Sequence, residues 1–332
     1  MDYKDTLRYR NIWLGAAMLW IMLFHLPLDL GPLRYAQIVG YIGVDICFFA
    51  SGAGCFCSLD KDSDAGRFMK RRLSRMMPTY VIFILFGLVY HLFTGRFEWK
   101  MALGNLLALQ YFTGLGKDFN WYVSAALLFY FFAPYFKAYI DRSTPKRKWL
   151  FAAFLVLCSV PFWDAPEQII IVSRLPIFYI GMLFAQLCQS PRKVSRKDVA
   201  AGAAAFFFGL VVLAFFLLRV QPYLWSHGLY WYPCILIVPP LCVAISYAAR
   251  WLEKKKFAKP LLSFLSLCGD YSLELYLVHV LVKFSLTEWI EILNLSAIAP
   301  ILWAASLVPI VFGCFALRRL TALCCRRVSK TH

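Results

Sequence analysis

The chain has 332 residues, of which 61% are hydrophobic and only 16% charged, and its mean hydropathy is +0.64. That is too little polar surface to coat a soluble core of this size, so an ordinary water-soluble protein is excluded and an integral membrane protein is expected. The formal charge of +17 raises the question of a nucleic-acid partner, which the placement of the basic residues answers below.

Apolar runs of spanning length are predicted at 12–28, 37–58, 78–94, 119–140, 149–164, 168–189, 199–219, 230–250, 263–285 and 296–317, each near the ~17–25 residues a bilayer requires. The expected fold is all-α, a bundle of about ten transmembrane helices. The first run is read as a retained helix, because no small-x-small cleavage site follows Leu14 to Leu28. The stretch 99–113 (WKMALGNLLALQYFT) is shorter and carries a lysine and an asparagine, so it is predicted to be re-entrant or interfacial.

With the N-terminus inside, segments 1–10, 60–77, 137–148, 190–198, 250–262 and 318–332 hold all but seven of the 35 basic residues. This bias predicts one membrane domain over 1–332 with both termini cytoplasmic. It also accounts for the net charge as topology, so no nucleic acid is expected. The eleven cysteines have no metal-ligand spacing and fall mostly inside the predicted spans. They read as small apolar packing residues, and no metal is expected.

Depth brings the candidate site residues together. Counting about 1.5 Å per residue across a core about 30 Å thick places His25 about 20 Å, Asp45 about 18 Å, Arg174 about 21 Å and Glu274 about 17 Å above the inner face. Four ionisable groups in one layer are too costly to face lipid. A neutral imidazole with its second nitrogen held by a carboxylate is a general base, so His25 and Asp45 form the candidate catalytic pair. The plainer alternatives are a histidine satisfied by backbone at the headgroup boundary, an aspartate that caps or bridges helices, and a buried Arg174–Glu274 ion pair.

In "GRFMKRRLSRMMPTY", Arg71, Arg72 and Arg75 lie on consecutive turns before Pro78. They either anchor topology by snorkelling or grip phosphates at the inner mouth of a pore. Ser51 is grouped with them on the donor side. Gly43, Gly52 and Gly54 either pack helices or let a thin acyl or pantetheine chain pass the backbone.

The ordered series "LFH", "GVDICFFASGAG", "FMKRRLSRMMPTY", "WYVSAALLFYFFAP", "RLPIFYIGMLFA" and "GDYSLELYLVH" resembles the membrane acyltransferase-3 family over nearly the whole chain. The resemblance implies a ten-helix enzyme that passes an acyl group, commonly acetyl, from cytoplasmic acyl-CoA to a hydroxyl on an extracytoplasmic glycan or similar acceptor. It implies His25 as the base, Asp45 as the buried acid and Arg71, Arg72 and Arg75 as the donor-side motif. Many members carry a basic residue eleven positions before the histidine. This chain has Leu14 there, so that cation is absent or supplied elsewhere, as by Arg174.

Acyl-CoA is then a co-substrate, with no tightly bound cofactor, and the setting is a bacterial plasma membrane. Asn120, Trp121 and Tyr122 either line the acceptor's entrance or pack against apolar neighbours. His279 either contacts the acceptor or anchors the interface. A transporter or membrane sensor is the competing class, since buried His, Asp, Glu and Arg also make solute sites and proton relays. The ordered motifs and the arginine cluster favour the enzyme.

Overall fold

A computed structural model describes residues 2–28, 30–113, 121–190, 193–219 and 230–330, with side chains to residue 325. Among these residues no strand occurs, and helices follow one another from end to end. The principal ones are α1 (Arg10–His25), α2 (Ile42–Lys61), α3 (Ala65–Phe93), α4 (Trp99–Leu106), α5 (Trp121–Arg142), α6 (Pro145–Leu157), α7 (Leu175–Gln189), α8 (Arg196–Arg219), α9 (Cys234–Glu253), α10 (Lys259–Asp270), α11 (Ser272–Ile292) and α12 (Leu307–Lys330).

Seven helices among the described residues are long and apolar enough to cross a membrane, or eight when α10 and α11, bent by 78°, count as one span. This is an integral, multi-pass, all-α membrane fold with fewer such helices than the ten expected. The two predicted spans that drop out are 12–28 and 149–164. The 13 residues of α6 reach only about 20 Å at about 1.5 Å per residue, whereas α1 continues a helical run from Tyr3 whose first turns carry Lys4, Asp5, Arg8 and Arg10. Segment 99–113 forms two helices of eight and four residues, neither able to cross, with Ala108 between them at φ 54°.

The outer surface is what a lipid environment requires. On α8, Leu218 is 78% and Val211 66% exposed, and large apolar faces of α3 and α12 are likewise uncovered. In water such a surface would drive aggregation; in hydrocarbon it costs nothing. α2 is the reverse case, buried over most of its length, with Phe48 and Phe49 fully enclosed.

Glycines set how closely these central helices meet. A Cβ on Gly52 would stand 1.9 Å from the Phe178 carbonyl oxygen, and one on Gly181 would stand 2.1 Å from that of Phe49, so α2 and α7 touch backbone to backbone. α1 and α10 do the same through Gly15, 1.8 Å from the Leu265 oxygen, and Gly269, 2.0 Å from that of Asn11. Gly43 makes room for the Ala17 carbonyl. Such small-residue crossings replace the hydrophobic drive that lipid removes.

The basic segments meet at one end. Arg250 pairs with Asp5 at 3.0 Å, Arg8 with Glu253 at 3.2 Å and Lys137 with Asp60 at 3.2 Å, while Gln189 donates to Asp60 at 2.5 Å. At the other end of α3, Arg96 pairs with Glu288 of α11 at 2.8 Å.

Candidate active site

His25 is the last residue of α1, where the chain leaves the helix through an extended Leu26. Gln37 fixes that exit by donating to the Leu26 carbonyl. The imidazole borders a chamber of about 240 Å³ whose walls also include Tyr41, Trp121, Arg174, Tyr276 and Lys283. Its hydrogen-bond partner is a second histidine: His25 Nδ1 lies 3.1 Å from Nε2 of His279. His279 is 3% exposed, and its Nδ1 lies 2.5 Å from the Leu275 carbonyl oxygen one turn back on α11.

The expected His25–Asp45 pair is not what the structure brings together. Asp45, 1% exposed in the first turn of α2, has Arg174 as its ionic partner, with Oδ1 3.8 Å from Nε. The reason is charge: a buried carboxylate is stabilised far more by a guanidinium than by a neutral ring. Arg174, 2% exposed at the start of α7, is held between the indoles of Trp121 at 4.9 Å and Trp231 at 4.1 Å. Its Nη1 donates to the Ile170 carbonyl at 2.8 Å. Among the described residues neither Asp45 Oδ2 nor Arg174 Nε completes a hydrogen bond. The cation is thus enclosed on the chamber wall with its Nε incompletely satisfied.

Glu274 also departs from the expected layer. It lies in the first turn of α11, on the wall of a second cavity and not of the Arg174 chamber, with Arg318 as its neighbouring cation. This cavity, about 730 Å³, carries Arg72 and Arg75 from α3, Ser51 from α2 and Tyr130 from α5. Arg72 donates to the Gly54 carbonyl at 2.7 Å and lies over the rings of Phe68 and Tyr130. The Ser51 hydroxyl is 3.4 Å from that of Tyr130.

Arg71 stays outside the cavity. It donates to Asp62 at 2.7 Å, and Arg67 and Arg71 together hold the Asp62 carboxyl well below the usual carboxylate range.

A residue that the sequence reading missed belongs here. Arg10 enters the same cavity, donates from Nε to the Ala50 carbonyl at 2.8 Å and lies against Gly54, where a Cβ would stand 3.2 Å from its guanidinium. Gly54 therefore makes room for a side chain, not for a helix. The signal was available: Arg10 precedes Leu14 by four residues, so it lies on the same helix face one turn nearer the basic end. Arg10 and Arg72 lie close enough to repel each other, an arrangement suited to an anion.

Two of the expected acceptor-side residues lie elsewhere. Trp121 stacks on Arg174, and Tyr122 lines the arginine cavity and packs its ring 5.1 Å from that of Tyr276. Asn120 lies outside the described residues.

A third cavity of about 330 Å³ opens toward the Arg96–Glu288 end. His91 is on its wall, with Nδ1 buried and without a hydrogen-bond partner among the described residues. The three spaces are consecutive. Ile21, Val44 and Tyr276 line both the arginine cavity and the His25 chamber, and Tyr111 and Phe284 line both the chamber and the third cavity.

The family model described as an acyltransferase domain, that of the acyltransferase-3 family, matches residues 14–319. Neither a curated protein nor a solved structure matches the chain. The chain belongs to the acyltransferase-3 family and is a membrane acyltransferase.

Proposed function

From this membership, we propose that the protein moves an acyl group, acetyl in the simplest case, from acyl-CoA on the cytoplasmic side to a hydroxyl of a glycan or similar acceptor on the other side of a bacterial plasma membrane. The observation that carries this reading is the run of three adjoining cavities with His25 in the middle one. A donor and an acceptor approaching from opposite ends meet at one imidazole without either crossing the bilayer.

The donor's phosphates dock on Arg10, Arg72 and Arg75, whose guanidinium forks match phosphate oxygens. Arg10 takes the place of the cation missing at Leu14. The pantetheine arm extends past Tyr276 toward the chamber. His25 removes the proton of the acceptor hydroxyl as its oxygen attacks the thioester carbonyl. The carbonyl oxygen becomes an oxyanion, and Arg174, held by two indoles and Asp45, provides fixed positive charge beside it. The carbon–sulfur bond then breaks, the thiolate takes the proton from the His25 imidazolium, and ester and free CoA leave. No covalent acyl-enzyme and no resident cofactor is required. Acceptor binding belongs to the third cavity, where Arg96, Glu288 and His91 present polar groups beside Tyr90 and Phe284.

The test is His25→Ala in proteoliposomes. Release of free CoA from acetyl-CoA should fall by about 100-fold or more, the usual scale for a lost general base, with elution from size exclusion unchanged. Wild-type turnover in the purified variant would exclude His25 as the base.

A further inference from the structure

We infer that His279 is a positioning residue for His25: its Nε2 accepts the Nδ1–H of His25 and so leaves His25 Nε2 as the nitrogen that exchanges protons with substrate. A carbonyl oxygen only accepts. The Leu275 carbonyl, 2.5 Å from His279 Nδ1, therefore requires a proton on that nitrogen. A neutral imidazole has one N–H, so His279 Nε2 is a bare lone pair. It stands 3.1 Å from His25 Nδ1, which must then be the donor. The Ile21 carbonyl is a second acceptor beside the His25 ring. The His279 lone pair thus selects the tautomer of His25, and the Leu275 carbonyl fixes it through two rings.

The chain of bonds also ends there. A carbonyl takes no proton at ordinary pH, so a proton gained by His25 Nε2 has no route out through His279. The charge therefore reaches no further than the two rings until the departing sulfur accepts a proton from His25 Nε2, and the Nδ1–H···N bond is strengthened by charge meanwhile. The cations bordering the pair are Lys283, one turn further along α11, and Arg174 with its Asp45. Tyr41, Tyr111 and Tyr276 are the other titratable groups on the chamber wall. None of these is the hydrogen-bond partner of His25 Nδ1.

The inference rests on the acyltransferase reading only for what His25 does with its proton; the tautomer can be measured without turnover. The full chain, labelled with ¹⁵N-histidine and reconstituted in nanodiscs, has five histidines, and His25→Ala and His279→Phe assign the two of interest. Both should show a protonated Nδ1 and a bare Nε2 at neutral pH. A protonated Nε2 on His25 overturns the proposal.

Kinetics give the second arm, with acetyl-CoA as donor and a methyl hexoside as the hydroxyl probe. His279→Phe keeps an aromatic ring but no acceptor. It should lower kcat by about tenfold or more while KM for acetyl-CoA stays within about twofold. His279→Gln, whose amide oxygen accepts the same Nδ1–H, should restore much of the rate. Full activity in His279→Phe beside an inactive His25→Ala removes His279 from the mechanism and leaves His25 as the base. Full activity in both removes the base assignment itself.

Discussion

Arg71 and Arg72 are neighbours in sequence, and a helix turns successive residues about 100° apart. One rotates to Asp62 at the surface and the other to the cavity wall beside Arg10. Their functional weights should therefore separate. A charge-assisted contact is worth about 1.5–3 kcal/mol, so Arg72→Ala and Arg10→Ala should each raise KM for acetyl-CoA by about tenfold or more, whereas Arg71→Ala should change it by less than about twofold. The loss in Arg72→Ala should grow at low salt, where unscreened phosphate contacts count most in the wild type. Equal losses at positions 71 and 72 would return the whole run to a topological anchor. The sequence showed three candidate arginines on one stretch but not which had a carboxylate waiting. Asp62 decides that, through a turn between α2 and α3 that no periodicity reveals.

For the helices, the close crossings decide tolerance to substitution. Gly181→Val would drive side-chain carbon into the Phe49 carbonyl, and the atom in the way is backbone, which cannot step aside without separating α2 from α7. Overpacking of a tight core costs about 1–3 kcal/mol, and here the displaced unit is the helix pair that carries Asp45 and Arg174. The variant should lose its monodisperse peak in detergent or melt well below wild type. Gly87 of α3 has no atom within 4 Å of an added Cβ, so Gly87→Ala should match wild type in the same melting assay. If both variants behave alike, the backbone contact is not what limits that packing.

The hydropathy of 263–285 read as one straight span because a bend leaves composition unchanged. With His279 of α11 against His25, Glu274 lies five residues earlier, about 7.5 Å along the same helix. α1 illustrates the converse, since its histidine stands out in the sequence while the helical run that leads into it from Tyr3 does not.

Across the whole molecule, the ion pairs that gather segments 2–8, 60–67, 137–141, 189–193 and 250–253 at one end predict a sided enzyme. In vesicles with this end outward, acetyl-CoA added outside should be consumed. In vesicles of the opposite orientation it should remain intact until the membrane is permeabilised. Following free CoA in both preparations checks this. Consumption from both sides before permeabilisation would exclude a donor site confined to the basic end. Release of unchanged solute without thioester cleavage would point to a carrier instead.

Composition and charge by themselves determined the solvent, the helical class and a biased distribution of basic loops, because these are sums over many residues and need no contact to be known. The ordered motifs pointed to the family, and a count of depth along each span brought His25, Asp45 and Arg174 to notice. The partners of those residues were decided only in three dimensions. Asp45 goes to Arg174 and His25 goes to His279, 254 positions away, because helix rotation and crossing angle select which side chains meet, and neither is written in the depth of a residue along its own helix.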